Sequence, residues 1–393
     1  MTQPVGDRIA AATFRGNPEL ELTVLDRLAP EQRAALGDAE HDPELYGVLL
    51  PRRPAAGQRA KAVDRDTALL YLTLAQPGPV PAYVRSSLGA QLEATMTRLV
   101  LDGVLEIAHD GAFVSGPDAL ELLGVAQREQ GDRDEGRIAR LSREALRYAG
   151  ALPITDMPLL AGRIYAYNRM PLSPAWLRRL PSRAAVAEHL GLAAGGRTAA
   201  LVGRSWIQSS GADDGDVWRA WARPSREAAN GGTTHKLYIS PKPAALPDAL
   251  PVAVEVLART AATGFKVGAD LPGLLRPDKL VAYFAGFEAL AEAAERLQSR
   301  LDGVPAHGVP FTAEITRDGL MSWGIDPPRG EQTLGVSGGE SWRVWLAHRL
   351  AGALLAARSS AAPEPWRFAL ERIRLEGVDP RTWAPSQAIW SER

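Results

Sequence analysis

Lys236-Leu-Tyr-Ile-Ser240, closed by Pro241-Lys-Pro243, is the stretch on which the fold reading turns. It reads as a β-strand, and the prolines end it because proline supplies no ladder hydrogen bond. Downstream, Leu246 to Thr263 is an Ala/Leu/Val helix, Gly264-Phe-Lys-Val267 a short strand, and Leu280-Val-Ala-Tyr-Phe284 another strand. An amphipathic helix over Phe287 to Leu301, a strand-like Phe311-Thr-Ala-Glu-Ile315 and a long helix over Ser341 to Ala357 follow. Upstream, Arg163 to Arg169, Leu201 to Ile207 and Val217 to Trp221 read as further strands, and Arg226 to Thr234 as a loop or hairpin tip. Strands and helices mix without a strict βαβ repeat. The expected class is therefore α+β, with a mixed, largely antiparallel sheet.

The first third of the chain differs in character. All ten Trp lie after residue 175, and the early region is Ala/Leu-rich. Thr67 to Ala75, Tyr83 to Leu88 and Gln91 to Leu101 read as helices, the last with apolar Leu92, Met96, Leu99 and Val100 at helical spacing. Val104 to Ala108 and Ala112 to Val114 flank Asp110-Gly111 as a hairpin. Three helices followed by a hairpin is the order of a winged-helix module. The expected organisation is an N-terminal segment over 1–60, a winged-helix-like unit over 61–120, a charged helical connector over 121–160, and an α+β anion-binding domain over 161–393. The connector, with Arg128, Glu129, Arg133, Asp134, Glu135, Arg137 and Arg140, reads as a solvated helix.

Bulk numbers restrict function. A chain of 393 residues suits two or three domains, and 46% hydrophobic residues are ample for cores. The formal net charge is −1, so no global field attracts nucleic acid or anionic lipid. The third helix of the winged-helix-like unit offers only Arg98 as a cation. A DNA-reading helix carries several phosphate and base contacts, so nucleic-acid binding is disfavoured. Peptide capture along the wing strand and a purely structural cap are the other two uses of such a unit. With no cysteine and six scattered histidines, neither a disulfide framework nor a zinc site is expected. The start, Met1 to Gly16, has no signal-like apolar core, and no segment reaches about 18 uninterrupted apolar residues. The expectation is a cytoplasmic protein with no membrane span, no metal and no cofactor.

Any anion site must then be local. Lys236 opens one apolar strand, Lys266 sits between Phe265 and Val267 in another, and Arg276 precedes Pro277-Asp278 just before a third. Lysines often guard edge strands, which is the plain alternative for each of them alone. Converging, the three would hold an anion, most simply a phosphate, since the planar guanidinium bonds two oxygens at once. On the long late helix, Arg343 and Arg349 are six residues apart and do not share a narrow face. A lysine crowded by other cations loses its proton more readily, and a neutral lysine can take a proton from carbon. That is the chemistry of a β-elimination. Gly335-Val-Ser-Gly-Gly339 resembles a phosphate loop only superficially, Gly231-Gly232 reads as a turn, and Asp213, Asp214 and Asp216 as a solvated loop. Trp323, in Gly319 to Pro328, is the best candidate for a groove wall.

Several of these runs resemble the HopA-type effector family. They are Lys236 to Pro241, Phe265-Lys-Val267, Leu275-Arg-Pro-Asp278 leading to Val281-Ala-Tyr283, Val309 to Thr312, Gly319-Leu320, Asp326 to Pro328, and the helix carrying Arg343. That family is similar to the phosphothreonine lyases of bacterial effectors and to lyase components of lanthipeptide and thioamitide biosynthesis. The resemblance covers about residues 230–357. It implies that Lys266 removes the Cα proton, and that Lys236, Arg276 and Arg343 hold the phosphate with Tyr283 beside it. In phosphothreonine lyases a histidine stands two residues after the first lysine as general acid; here that position is Tyr238, and His235 precedes the lysine and faces the other way. Arg349 completes the set of candidate phosphate ligands. The expected substrate is a phosphorylated Ser or Thr in a precursor peptide, with a kinase-like protein as a possible partner. The alternative is a non-catalytic binder of such a peptide.

Overall fold

The computed structural model describes residues 9, 11–53, 60–123, 135–211, 216–224, 234–327, 340–359 and 364–386. Gly231-Gly232, Asp213, Asp214, Gly335–Gly339 and the connector residues Arg128, Glu129, Arg133 and Asp134 lie outside them.

The N-terminal part holds two small antiparallel sheets. One is built from β1 (Thr13–Gly16), β5 (Gly78–Pro79), β6 (Leu105–His109) and β7 (Ala112–Val114) in the order β5-β1-β6-β7. The other is β2 (Leu20–Val24), β3 (Leu45–Pro51) and β4 (Lys61–Asp64). The helices Arg65–Thr73, Ala82–Leu88 and Leu92–Leu101 lie between them in sequence. Asp64 starts the first by accepting from the Thr67 N–H at 2.7 Å. The turn at Asp110-Gly111 has both residues at positive φ, 47° and 80°, the conformation that a two-residue hairpin of matching twist requires.

The C-terminal sheet is larger and wholly antiparallel. Its strands are β8 (Ile207–Ser210), β9 (Trp218–Ala222), β10 (His235–Ile239), β11 (Gly264–Gly268), β12 (Leu280–Phe284), β13 (Ala313–Glu314) and β14 (Met321–Ile325). They run in the order β13-β14-β10-β12-β11-β9-β8. Because side chains alternate across a strand, the sheet has two different faces. Leu237, Ile239, Phe265, Val267, Leu280, Ala282 and Phe284 form one core with the helices Leu246–Ala258 and Phe287–Arg300. Tyr238, Val281 and Tyr283 belong to the other face, where Val309 packs on them. The α+β class and the antiparallel sheet are as expected. No helix among the described residues is long and apolar enough to cross a membrane.

Three segments differ from the sequence reading. Arg163 to Arg169, expected as a strand, contains the end of a helix, Met157–Tyr165. Its period begins upstream, with Met157, Leu160, Ala161 and Ile164 buried at helical spacing and Asp156 capping the Leu159 N–H at 2.8 Å. A window opened at Gly162 misses that period. Leu201 to Ser205 likewise belongs to the helix Arg197–Ser205, which buries Thr198 and Val202 one turn apart, and β8 begins only at Ile207. The helix Arg137–Ala151, expected to be solvated, buries Ile138, Ala139, Ser142, Ala145, Leu146 and Ala149. Its charges occupy one face only, and Ser142 Oγ accepts from the Phe311 N–H at 2.8 Å.

A second large core joins residues from both ends of the chain. Phe14, Met96, Val100, Leu105, Leu160 and Ile164 pack with Trp342, Trp345, Leu350, Leu354, Phe368 and Trp383. The helices Trp342–Ser359 and Pro365–Leu375 carry the late members. Trp342 also lies against the large sheet. A Cβ on Gly324 would come within 2.5 Å of its Cδ1, so only glycine lets the indole approach β14.

Candidate functional site: a cation cluster on one sheet face

Register decides which side chains meet. Lys236 on β10 lies directly opposite Tyr283 on β12 and Gly324 on β14. Tyr238 lies opposite Val281 and Ser322, and Lys266 on β11 lies opposite Val281 and Ala220. Directly paired residues share a face. Lys236, Tyr238, Lys266 and Tyr283 therefore all project from the face away from the helix-covered core. The two lysines straddle β12 with a two-residue offset, roughly 12 Å apart at the backbone, since neighbouring strands are spaced by about 4.8 Å and residues along a strand by about 3.4 Å.

Around this face the remaining cations are tied down. The Arg276 guanidinium donates to Asp278 through Nε at 2.8 Å and Nη2 at 3.0 Å, and also reaches the Tyr165 hydroxyl at 2.6 Å. Arg343, 2% exposed, donates from Nη1 to Asp278 at 2.8 Å, from Nη2 to the Tyr165 carbonyl at 2.8 Å and from Nε to the Pro310 carbonyl at 3.2 Å. Lys236 Nζ donates to Asp326 Oδ1 at 2.5 Å, and the same oxygen accepts from the Trp342 N–H at 3.1 Å. The first turn of the Trp342–Ser359 helix and the lysine thus share one carboxylate.

Lys266 is different. Among the described residues its amine has no hydrogen bond and no ion pair. It lies 4.4 Å from the centroid of the Trp218 ring and 5.7 Å from that of Tyr283. Burial, reinforced by the charge of Lys236, pushes it down to about 8, against the opposing pull of Asp278. Burial alone would push the Asp278 carboxyl up, but Arg343, Arg276 and the Tyr165 hydroxyl outweigh it and hold the group well below the ordinary carboxylate range. Burial, and then the charge of Asp326, raises both Tyr238 and Tyr283 above the ordinary phenol value, so both remain protonated donors.

Four cations, Lys236, Lys266, Arg276 and Arg343, face two carboxylates, Asp278 and Asp326. The excess is two positive charges with Lys266 protonated and one with it neutral, so the cluster suits an anion such as a phosphate monoester in either state. Arg349 is held elsewhere: its Nε lies 3.2 Å from Glu376 and its guanidinium over Trp345 at 5.3 Å. The six-residue offset from Arg343 turns it toward the helix Pro365–Leu375. His235 faces the opposite side of β10, stacking on Trp323 with centroids 6.4 Å apart. Trp323 in turn meets Phe287, 46% exposed, at 4.7 Å.

The sequence reading assigned no role to four residues that shape this site: Tyr165, Asp278, Asp326 and Trp218. Asp278 carried a signal, because a carboxylate two residues from Arg276 across a proline turn lies within reach of the long guanidinium side chain. Tyr165 carried none, since it comes from a helix more than a hundred residues earlier. Among the described residues no group of acidic or histidine side chains has the arrangement of a metal site.

No protein-family model matches the chain, and no curated protein does. Among the solved structures that are similar, two are effector proteins of low identity. One is described as the effector protein from Pseudomonas syringae pv. tomato strain DC3000, at 17% identity and a TM-score of 0.42, covering 63% of this chain and 97% of that one. The other is the effector protein from Pseudomonas syringae pv. syringae strain 61, at 15% identity and a TM-score of 0.38, covering 64% and 99%. Similarity at this level establishes neither a family nor an activity.

Proposed function

We propose that the C-terminal domain is a phosphoserine or phosphothreonine lyase acting on a precursor peptide. The observation that carries this reading is Lys266: an amine with no polar partner among the described residues, lowered to about 8, beside a cluster in which Lys236, Arg276 and Arg343 outnumber Asp278 and Asp326 by one charge. With a value of about 8, about a tenth of such an amine is neutral at pH 7, far more than of an ordinary surface lysine, and that fraction can act as a base.

In this reading the phosphate sits among Lys236, Arg276 and Arg343. The free amine of Lys266 takes the Cα proton, a Cα–Cβ double bond forms, and the Cβ–O bond breaks with its electron pair leaving on the phosphate oxygen. Tyr238, kept protonated by burial, donates to that oxygen. The products are a dehydroamino acid and inorganic phosphate, and the proton on Lys266 returns to Tyr238. Fixed cations supply the electrostatic stabilisation of the departing charge. The region over 61–120 holds the peptide or a kinase-like partner, and 161–393 acts on it.

The test is incubation with a phosphothreonine peptide, followed by mass spectrometry. Loss of one phosphoric acid, absent in Lys266→Met, supports the lyase. Retained binding without loss leaves a non-catalytic phosphopeptide binder, a reading favoured by Tyr238 standing where lyases have histidine.

A further inference from the structure

Lys266 is placed by more than its own strand. Trp218, on β9, pairs with Gly268 two residues along β11, and its ring serves two cations at once. Lys266 Nζ lies 4.4 Å from its centroid and the Arg276 guanidinium 4.7 Å. Tyr283, from the strand on the other side of β11, completes the enclosure at 5.7 Å. The backbone around Trp218 is pinned, because the Ala269 N–H donates to the Val217 carbonyl at 3.1 Å. The indole thus covers Lys266 on the side of β9.

We propose that Trp218 is a positioning residue for Lys266, which holds the amine against its ring and shields it from water on the side of β9. The proposal builds on the lyase reading of Lys266 but can be checked without turnover.

The wall has two opposed effects. An aromatic face attracts an ammonium and favours the protonated form. Exclusion of water favours the neutral form. The charged and titratable groups around Lys266 are Lys236 from β10, Arg276 and Asp278 from the segment before β12, Tyr283 from β12, and Asp326 after β14. Asp278 and Asp326 favour the ammonium, and Lys236 and Arg276 oppose it. These contributions oppose one another, so the lowered state of Lys266 follows mainly from burial, and Trp218 supplies one side of that burial.

The experiment is pH-dependent acetylation of the full-length protein with limiting acetic anhydride, read at Lys266 by mass spectrometry. The fully buried Lys279 (0% exposed) serves as an internal check of folding. In the wild type the midpoint at Lys266 falls near 8. In Trp218→Ala water enters, and the midpoint rises by about one unit or more toward the ordinary lysine value. In Trp218→Met the bulk remains without the ring, so the midpoint stays at or below that of the wild type. An unchanged or lower midpoint in Trp218→Ala overturns the proposal, as does a Met variant that rises as far as the Ala variant. If Lys279 becomes reactive in Trp218→Ala, the Met variant alone decides. Because labelling needs no catalysis, a wild type that binds phosphopeptide without eliminating phosphate sinks the lyase reading and leaves this result standing.

Discussion

Asp278 is the carboxylate on which two of the site's cations depend, so Asp278→Asn is the sharpest perturbation. Asparagine keeps the shape and one acceptor oxygen but removes the charge shared by Arg276 and Arg343. The aspartate is 5% exposed and Arg343 is 2% exposed, so neither is compensated by water. Removing one partner of a buried pair costs about 3–5 kcal/mol, much of it the uncompensated charge left behind. For a domain of this size that lowers the midpoint of thermal unfolding by on the order of 10 °C. The same change raises the excess positive charge at the site by one, since Asp326 is then the remaining carboxylate. Inorganic phosphate should therefore stabilise the variant more than the wild type, restoring up to roughly 2.7 kcal/mol at a hundredfold excess over its dissociation constant. The assay is urea or thermal denaturation of both proteins with and without phosphate. A loss under about 1 kcal/mol, or phosphate stabilising both proteins equally, would refute the claim that Asp278 organises an anion site. The acid limb gives a second check. The folded Asp278 is depressed below its ordinary 3.8, so its contribution is complete above that value and fades as pH falls below it. The two proteins should converge in strong acid.

Four further outcomes are expected. Lys266→Arg should lower elimination by about two to four orders of magnitude, because arginine cannot lose its proton; in the wild type kcat/KM should rise with pH through about 8. Lys279, bonded to the Pro241 carbonyl and to His307 Nδ1 at 2.9 Å each, is pushed by burial down to about 7. The unfolded chain then binds more protons between about 7 and the ordinary 10.5, so denaturant stability should rise with pH over that window and flatten in Lys279→Met. Arg349→Ala should leave phosphate affinity unchanged while lowering stability through its contact with Glu376, whereas Arg343→Met should lose phosphate binding, as titration calorimetry would register. Gly324→Ala should cost about 1–3 kcal/mol in denaturation experiments, since its Cβ meets the Trp342 indole at 2.5 Å.

The interaction of the N-terminal part with the late helices also shapes what can be expected of truncations. Asp102, at the end of the helix Leu92–Leu101, pairs with Arg372, and Arg372 with Glu376 at 3.0 Å. Burial pushes Asp102 up, but Arg372 and Lys61 outweigh it and hold it low. Charges from distant segments therefore meet in a place little reached by water, and removing the segment that carries Asp102 takes one of two carboxylate partners from Arg372.

Much of the fold was readable along the chain because its cause is local. Lys236 to Ser240 forms β10 up to Ile239, and Leu280 to Phe284 forms β12 as read, since apolar strands bounded by proline and glycine have few alternatives. Where the local signal was cut, as at Met157–Tyr165, the reading failed, because a helical period is visible only from its start. The candidate site divides the same way. Lysines in apolar strands mark themselves, so Lys236 and Lys266 were legible as unusual from sequence. That they share a face follows from the register of β10, β11 and β12, which no single strand encodes. The six-residue offset already separated Arg343 from Arg349 in the sequence, whereas the places of Tyr165 and Trp218 were decided by tertiary structure alone. Residues more than a hundred positions apart meet there only because burying two apolar cores brings their helices and strands together, and electrostatic partners at 3 Å are fixed by that packing rather than by spacing in the chain.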